Sequence, residues 1–116
     1  MTAVLLPLTI VCMVANAFVM VADLARAKFV LANSAEVGVK PELIPYLGLL
    51  KAAGIAGLAI GLAGITPLGV AAAVGLVLFY LCAVGAHVRA SVYYNIAFPL
   101  LYLALAASAL AYFLAG

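Results

Sequence analysis

The chain has 116 residues, of which 72% are hydrophobic and 7% are charged, and its formal net charge is +2. A soluble domain is typically about 45–50% apolar and about 25% charged, so this composition excludes an ordinary water-soluble domain and indicates an integral membrane protein. The net charge is also too small to indicate nucleic acid as a partner.

The first apolar segment runs from Thr2 to Ala22 and is closed by Asp23. It lacks the basic start and the small-residue cleavage motif of a signal peptide, so we expect a retained membrane helix over about residues 2–24. Residues 23–42 then carry six of the eight charged side chains. They predict a short interfacial segment, followed by a new helix whose first turn contains Pro41.

Three further apolar runs cover about residues 43–64, 67–86 and 96–115. Each has about the 20 residues that a helix needs to cross roughly 30 Å of hydrocarbon. The short links predict antiparallel neighbours, whereas strands are disfavoured because no run alternates with period two. The predicted fold is therefore all-α: one domain over residues 1–116, a four-helix transmembrane up-down bundle with a short interfacial segment between helices 1 and 2.

The basic residues outside the apolar runs predict the orientation of this bundle. Arg26, Lys28 and Lys40 lie between the first and second spans, and Arg89 lies between the third and fourth. Both links fall at the same end of an up-down bundle, which predicts that this end faces the cytoplasm and that both termini lie outside.

Lys51 lies about eight residues inside the second apolar run, roughly 12 Å along the helix. A charge at that depth costs about 2.5–3.5 kcal/mol, so such residues usually face the bundle interior. The alternative is that the long side chain snorkels to the interface. Cys12, Asn16 and Asp23 share one face of the first helix, and Asp23 is the favoured partner of Lys51; otherwise Asp23 simply ends its helix in water.

The second span also carries four glycines in one angular sector, at Gly54, Gly57, Gly61 and Gly64. Small residues on one face allow the backbone of another helix to approach closely. These glycines therefore predict a helix-packing face, and Lys51 borders it.

His87 is the only histidine of the chain and follows Tyr80 by seven residues, so both lie on one face of the third helix. His87 and Arg89 fall at the end of that helix, where cations complement the helix dipole without any further function. We expect His87 to turn inward toward Lys51. No second ligand of suitable spacing indicates a metal site, and Ser91 lacks the partners of a catalytic nucleophile, so the sequence predicts no catalytic residue.

The stretches LGLLKAAGIAGLAIGL and PLGVAAAVGLVLFYLCAVGAHVRA resemble the DoxX-like family of small bacterial membrane proteins. The residues that carry the resemblance are Lys51, Gly54, Gly57, Pro67, Gly69, Gly75, His87 and Arg89. The first helix is less similar, because its end reads VADLARAKF where family members often show a G-x-x-K-L-type end. The resemblance implies a multi-pass protein of the bacterial inner membrane, with relatives associated with quinone-linked sulfur oxidation or with complexes that handle oxidative stress.

Two hypotheses of function follow. In the first, the protein is a non-catalytic subunit or scaffold of a redox-linked complex, in contact with membrane lipids and with a membrane protein partner or a second copy. In the second, it binds a quinone or a lipid-like molecule in a polar pocket of the cytoplasmic leaflet, lined by Lys51, His87, Tyr80, Asp23 and Asn16. A four-helix multidrug exporter is disfavoured, because the first helix lacks the membrane-embedded Glu that those exporters share.

Overall fold

The computed structural model describes residues 2–115, so Met1 and Gly116 of the predicted domain lie outside the described residues. Its helices are α1 (Thr2–Leu24), α2 (Lys28–Glu36), α3 (Ile44–Leu62), α4 (Thr66–Arg89) and α5 (Ala97–Ala115), with a 3₁₀ turn at Pro41–Leu43 before α3. Four of them, α1, α3 with its preceding turn, α4 and α5, are long and apolar enough to cross a membrane. The predicted all-α bundle of four spans is confirmed, and α2 is the short segment between the first two.

Two boundaries differ from those that the sequence predicted. The second span ends at Leu62, because Gly64 adopts a φ of 124° that favours glycine over other residues. A β-carbon added to Gly64 would meet no atom within 4 Å. Its predicted role in helix packing is therefore wrong, and Gly64 serves the turn instead. The third span continues to Arg89 and does not end at residue 86, so the link covers only residues 90–96.

Each spanning helix packs against two neighbours, in the cyclic order α1, α3, α4, α5. The core along the bundle axis is formed by Cys12, Leu58, Ala73, Leu76, Tyr80, Leu105, Ala106, Ala109 and Phe113. Large apolar side chains such as Val14, Leu50 and Phe98 point outward, each at least 57% exposed. In a membrane this outer surface meets lipid, so the apolar surface and the filled core are both consistent with a spanning bundle.

Close contact between α3 and α4 depends on the glycines of α3. A β-carbon added to Gly61 would lie 2.5 Å from the Cα of Gly69, and one added to Gly57 would lie 2.5 Å from the Cβ of Ala72. At Gly54 the added atom would come within 2.7 Å of a leucine side chain of α4. The structure thus places these three glycines where α3 and α4 approach closely, so that an added β-carbon would force neighbouring atoms to shift.

Candidate functional site

A buried ion pair joins α1 to α3 at the end of the bundle where α1 stops. The Nζ atom of Lys51 donates a hydrogen bond to Oδ2 of Asp23 at 2.5 Å, and the two side chains are only 10% and 5% exposed. Gly48 provides the space, because a β-carbon there would lie 3.0 Å from the Cβ of Asp23. The Lys51 ammonium also lies 5.2 Å from the ring centroid of Phe79, within the range of a cation–π contact. Lys51 therefore faces the bundle interior and does not snorkel.

A second buried contact crosses the bundle between α1 and α4, which are opposite each other in the helix cycle. The Tyr80 hydroxyl donates a hydrogen bond to Oδ1 of Asn16. The Asn16 amide nitrogen in turn donates to the Cys12 carbonyl at 2.8 Å, with the Cys12 Sγ at 3.4 Å. Both polar ends of the Asn16 amide are thereby satisfied in the apolar interior, where an unpaired polar group is costly.

A third contact joins α1 to α5, through a residue that the sequence analysis did not single out. The Tyr102 hydroxyl donates to the Ala15 carbonyl at 3.2 Å, and the Tyr102 ring lies 5.4 Å from the ring of Tyr80. The available signal was a tyrosine near the middle of an apolar span, because a phenol within the hydrocarbon region usually finds a hydrogen-bond partner. Helix α1 is thus hydrogen-bonded through side chains to each of the other three spans.

His87 is buried at the same end of the bundle but makes a separate contact. Its Nδ1 atom lies 2.9 Å from the Ala83 carbonyl, one turn earlier in α4. Because a carbonyl can only accept, Nδ1 carries a hydrogen and donates it to Ala83. Nε2 is buried and has no partner among residues 2–115, and within that range no hydrogen bond joins His87 to Lys51. His87 is thus buried as expected, but its hydrogen bond goes to its own helix and not to Lys51 or Asp23.

Two hydrogen bonds, one exposed and one partly buried, hold α2 against the link between α4 and α5. The Tyr94 hydroxyl donates to Oε1 of Glu36 at 2.6 Å, and the Asn95 amide nitrogen donates to Oδ1 of Asn33 at 2.7 Å. Donation to the Glu36 carboxylate raises the pKa of the Tyr94 hydroxyl, because ionised tyrosine would have to give up this bond. Helix α2 is therefore held to the bundle in two ways. The chain connects it to the end of α1, and these two bonds fix it to the link between α4 and α5.

Two shallow cavities lie away from these buried contacts. One of about 270 Å³ is at the opposite end of the bundle, lined by Thr2, Gly61, Leu62, Gly64, Thr66, Tyr112 and Phe113. The other, of about 480 Å³, is an outer groove lined by Ala17, Phe18, Val21, Ala22, Ala25 and Phe29. Neither lining includes any of the five residues that the sequence proposes for ligand binding. Among residues 2–115, no cluster of His, Cys, Asp or Glu is suited to hold a metal ion.

Comparison with known proteins gives one finding that covers most of the chain. The profile of the DoxX-like family matches residues 7–109. The matched range contains the three buried contacts of α1, His87 and the packed glycines of α3. No significant match is found among curated proteins or among solved structures.

Proposed function

Because this multi-pass membrane chain belongs to the DoxX-like family, we propose that it is a small non-catalytic subunit or scaffold of a redox-linked membrane complex. Its place would be the bacterial inner membrane, as the resemblance to that family implies. Its task would be to present a stable apolar surface to a membrane protein partner or to a second copy of itself.

The observation that carries this proposal is the use of the intramembrane polar side chains. Asp23, Asn16 and the Ala15 carbonyl on α1 accept hydrogen bonds from Lys51, Tyr80 and Tyr102, one residue on each of the other spans. Polar groups inside a membrane are costly and usually mark either function or helix association. Here their hydrogen bonds connect the helices, which supports a structural role for them.

The direct test is purification from native membranes in a mild detergent, followed by mass spectrometry of the proteins and lipids that remain bound. We expect a membrane protein in fixed ratio to this chain, retained through a second purification step. The matched control is the Lys51→Ala variant, in which disruption of the bundle should release that partner. A chain that elutes alone as a monomer, with its helices intact, would contradict the scaffold proposal.

A second candidate function is supported by the free Nε2 atom of His87. The five residues Lys51, His87, Tyr80, Asp23 and Asn16 lie on three helices, with His87 near the end at which Lys51 meets Asp23. A neutral His87 would accept a hydrogen from a hydroxyl group, which a reduced quinone offers and an oxidised quinone does not. Extraction of a quinol from the purified protein, and its loss in His87→Phe but not in Tyr93→Phe, would favour this function over the scaffold.

The orientation of the bundle is proposed from the basic residues at one end, namely Arg26, Lys28, Lys40 and Arg89. In a background without Cys12 and Cys82, the cysteine of Lys28→Cys should not be labelled by a membrane-impermeant thiol reagent added to intact cells. Ile65→Cys, in the short turn between α3 and α4, should react with it. The reverse pattern of labelling would place the basic end outside and overturn the orientation.

A further inference from the structure

An open apolar groove follows the outer corner between α1 and α2, with a volume of about 480 Å³. This volume is in the range of about 300–1,000 Å³ that small-molecule sites occupy. Phe18 of α1 and Phe29 of α2 form one wall, with their rings stacked at a centroid distance of 6.4 Å. Both rings are more than half exposed, so the groove is open to whatever surrounds the bundle.

Positive charge is concentrated at one end of this groove. Arg26 and Lys28 lie in the chain between two groove-lining residues, Ala25 and Phe29. Both cations are exposed, and neither forms a salt bridge within residues 2–115. Arg26 adopts a φ of 54° in the turn that ends α1, and its backbone N–H donates to a carbonyl one turn back at 3.0 Å. The turn therefore places both basic residues next to groove-lining residues in the chain, at the end of α1.

Among residues 2–115, no carboxylate forms a salt bridge with either of these charges. Asp23, the nearest acidic residue in the chain, is 3% exposed and is paired with Lys51 in the interior. The groove itself is lined only by alanine, valine and phenylalanine side chains. A molecule that fits must therefore be apolar along its length and negatively charged at one end.

We propose that this groove binds an anionic phospholipid, with an acyl chain along α1 and the phosphate against Arg26 and Lys28. Guanidinium groups bind phosphate oxygens through paired hydrogen bonds, and basic residues at a membrane surface attract anionic headgroups. An extended protein segment fits less well, because its polar backbone would lack partners along an apolar groove. The site is separate from the buried contacts of α1, so it stands or falls independently of the scaffold proposal.

The test is a lipid titration of the purified protein in detergent, read by native mass spectrometry. Phosphatidylglycerol should bind more tightly than phosphatidylcholine with the same acyl chains. The double variant Arg26→Gln/Lys28→Gln should weaken phosphatidylglycerol binding about tenfold or more, since each basic residue near a membrane surface contributes appreciably to anionic lipid binding. Phe29→Ala should weaken the binding of both lipids, because it removes part of one apolar wall of the groove.

The matched control is the double variant Lys40→Gln/Arg89→Gln, which removes the same charge from the same end of the bundle. It should leave the preference for phosphatidylglycerol close to that of the unchanged protein. If both double variants lose the preference for phosphatidylglycerol equally, the lipid is attracted to the basic end in general, and the groove site is overturned. Displacement of the lipid by millimolar inorganic phosphate would overturn it too, because the acyl chain would then contribute nothing.

Discussion

Replacing Lys51 with alanine is expected to lower the free energy of unfolding by about 3–5 kcal/mol, the usual cost of removing one partner of a buried ion pair. The Asp23 carboxylate would remain in the interior with its counter-charge gone. The Phe79 ring would also lose its contact with the ammonium. Equilibrium unfolding in mixed detergent micelles, followed by circular dichroism, measures this loss.

Arg89→Ala is the matched control, since it also removes one cation from the basic end of the bundle. Arg89 is exposed and forms no salt bridge within residues 2–115, so the expected loss is below about 1 kcal/mol. The double variant Lys51→Met/Asp23→Asn should recover much of the stability that Lys51→Ala loses, because no unpaired charge remains. Equal losses for Lys51→Ala and Arg89→Ala would show that the ion pair contributes little to the bundle.

Replacing Gly61 with leucine is expected to destabilise the contact between α3 and α4 by about 1–3 kcal/mol, as overpacking does in other cores. The first added carbon alone would lie 2.5 Å from the Cα of Gly69 and 2.8 Å from the Phe113 ring. A backbone atom cannot move aside as the end of a flexible side chain can. The two helices would therefore have to separate, which thermal unfolding in detergent would report as a lower Tm.

Gly75→Leu provides the comparison, because Gly75 lies inside α4 with nothing within 4 Å of an added β-carbon. Leucine is favoured over glycine in a helix by about 1 kcal/mol or slightly less, so this variant should be as stable as the unchanged protein or more so. If both glycine variants unfold at the same temperature, the close approach of α3 and α4 does not limit stability.

The hydrogen bonds of α1 give the two candidate functions different consequences. If Asn16 and Tyr80 serve only to join helices, their loss should weaken the bundle without changing what it binds. If they belong to a quinone site that includes His87, loss of bound quinol should occur even in variants whose stability is preserved. Stability and ligand content measured on the same variants therefore separate the two proposals.

Much of the fold follows from local properties of the chain. Four apolar runs of spanning length determine four helices, because backbone polar groups in hydrocarbon must pair within their own segment. The pairing of Asp23 with Lys51 was also predictable, since the chain has only three acidic residues and a buried lysine needs one of them. The packed face at Gly54, Gly57 and Gly61 could be inferred from angular spacing, but the same spacing also included Gly64, which lies in the turn.

Other features were decided only when the helices came together. Residue spacing along each helix places Asn16 on one face of α1 and Tyr80 on one face of α4. Which faces meet depends on the cyclic order of the spans and on the rotation of each helix about its axis. The bond from Tyr102 to a backbone carbonyl of α1 is of the same kind. For His87 the helix face was predicted, but the hydrogen-bond partner was not. Its Nδ1–H donates to the Ala83 carbonyl of its own helix. Periodicity determines which residues share a helix face, whereas the partner of each polar atom is determined by distances that exist only in the packed bundle.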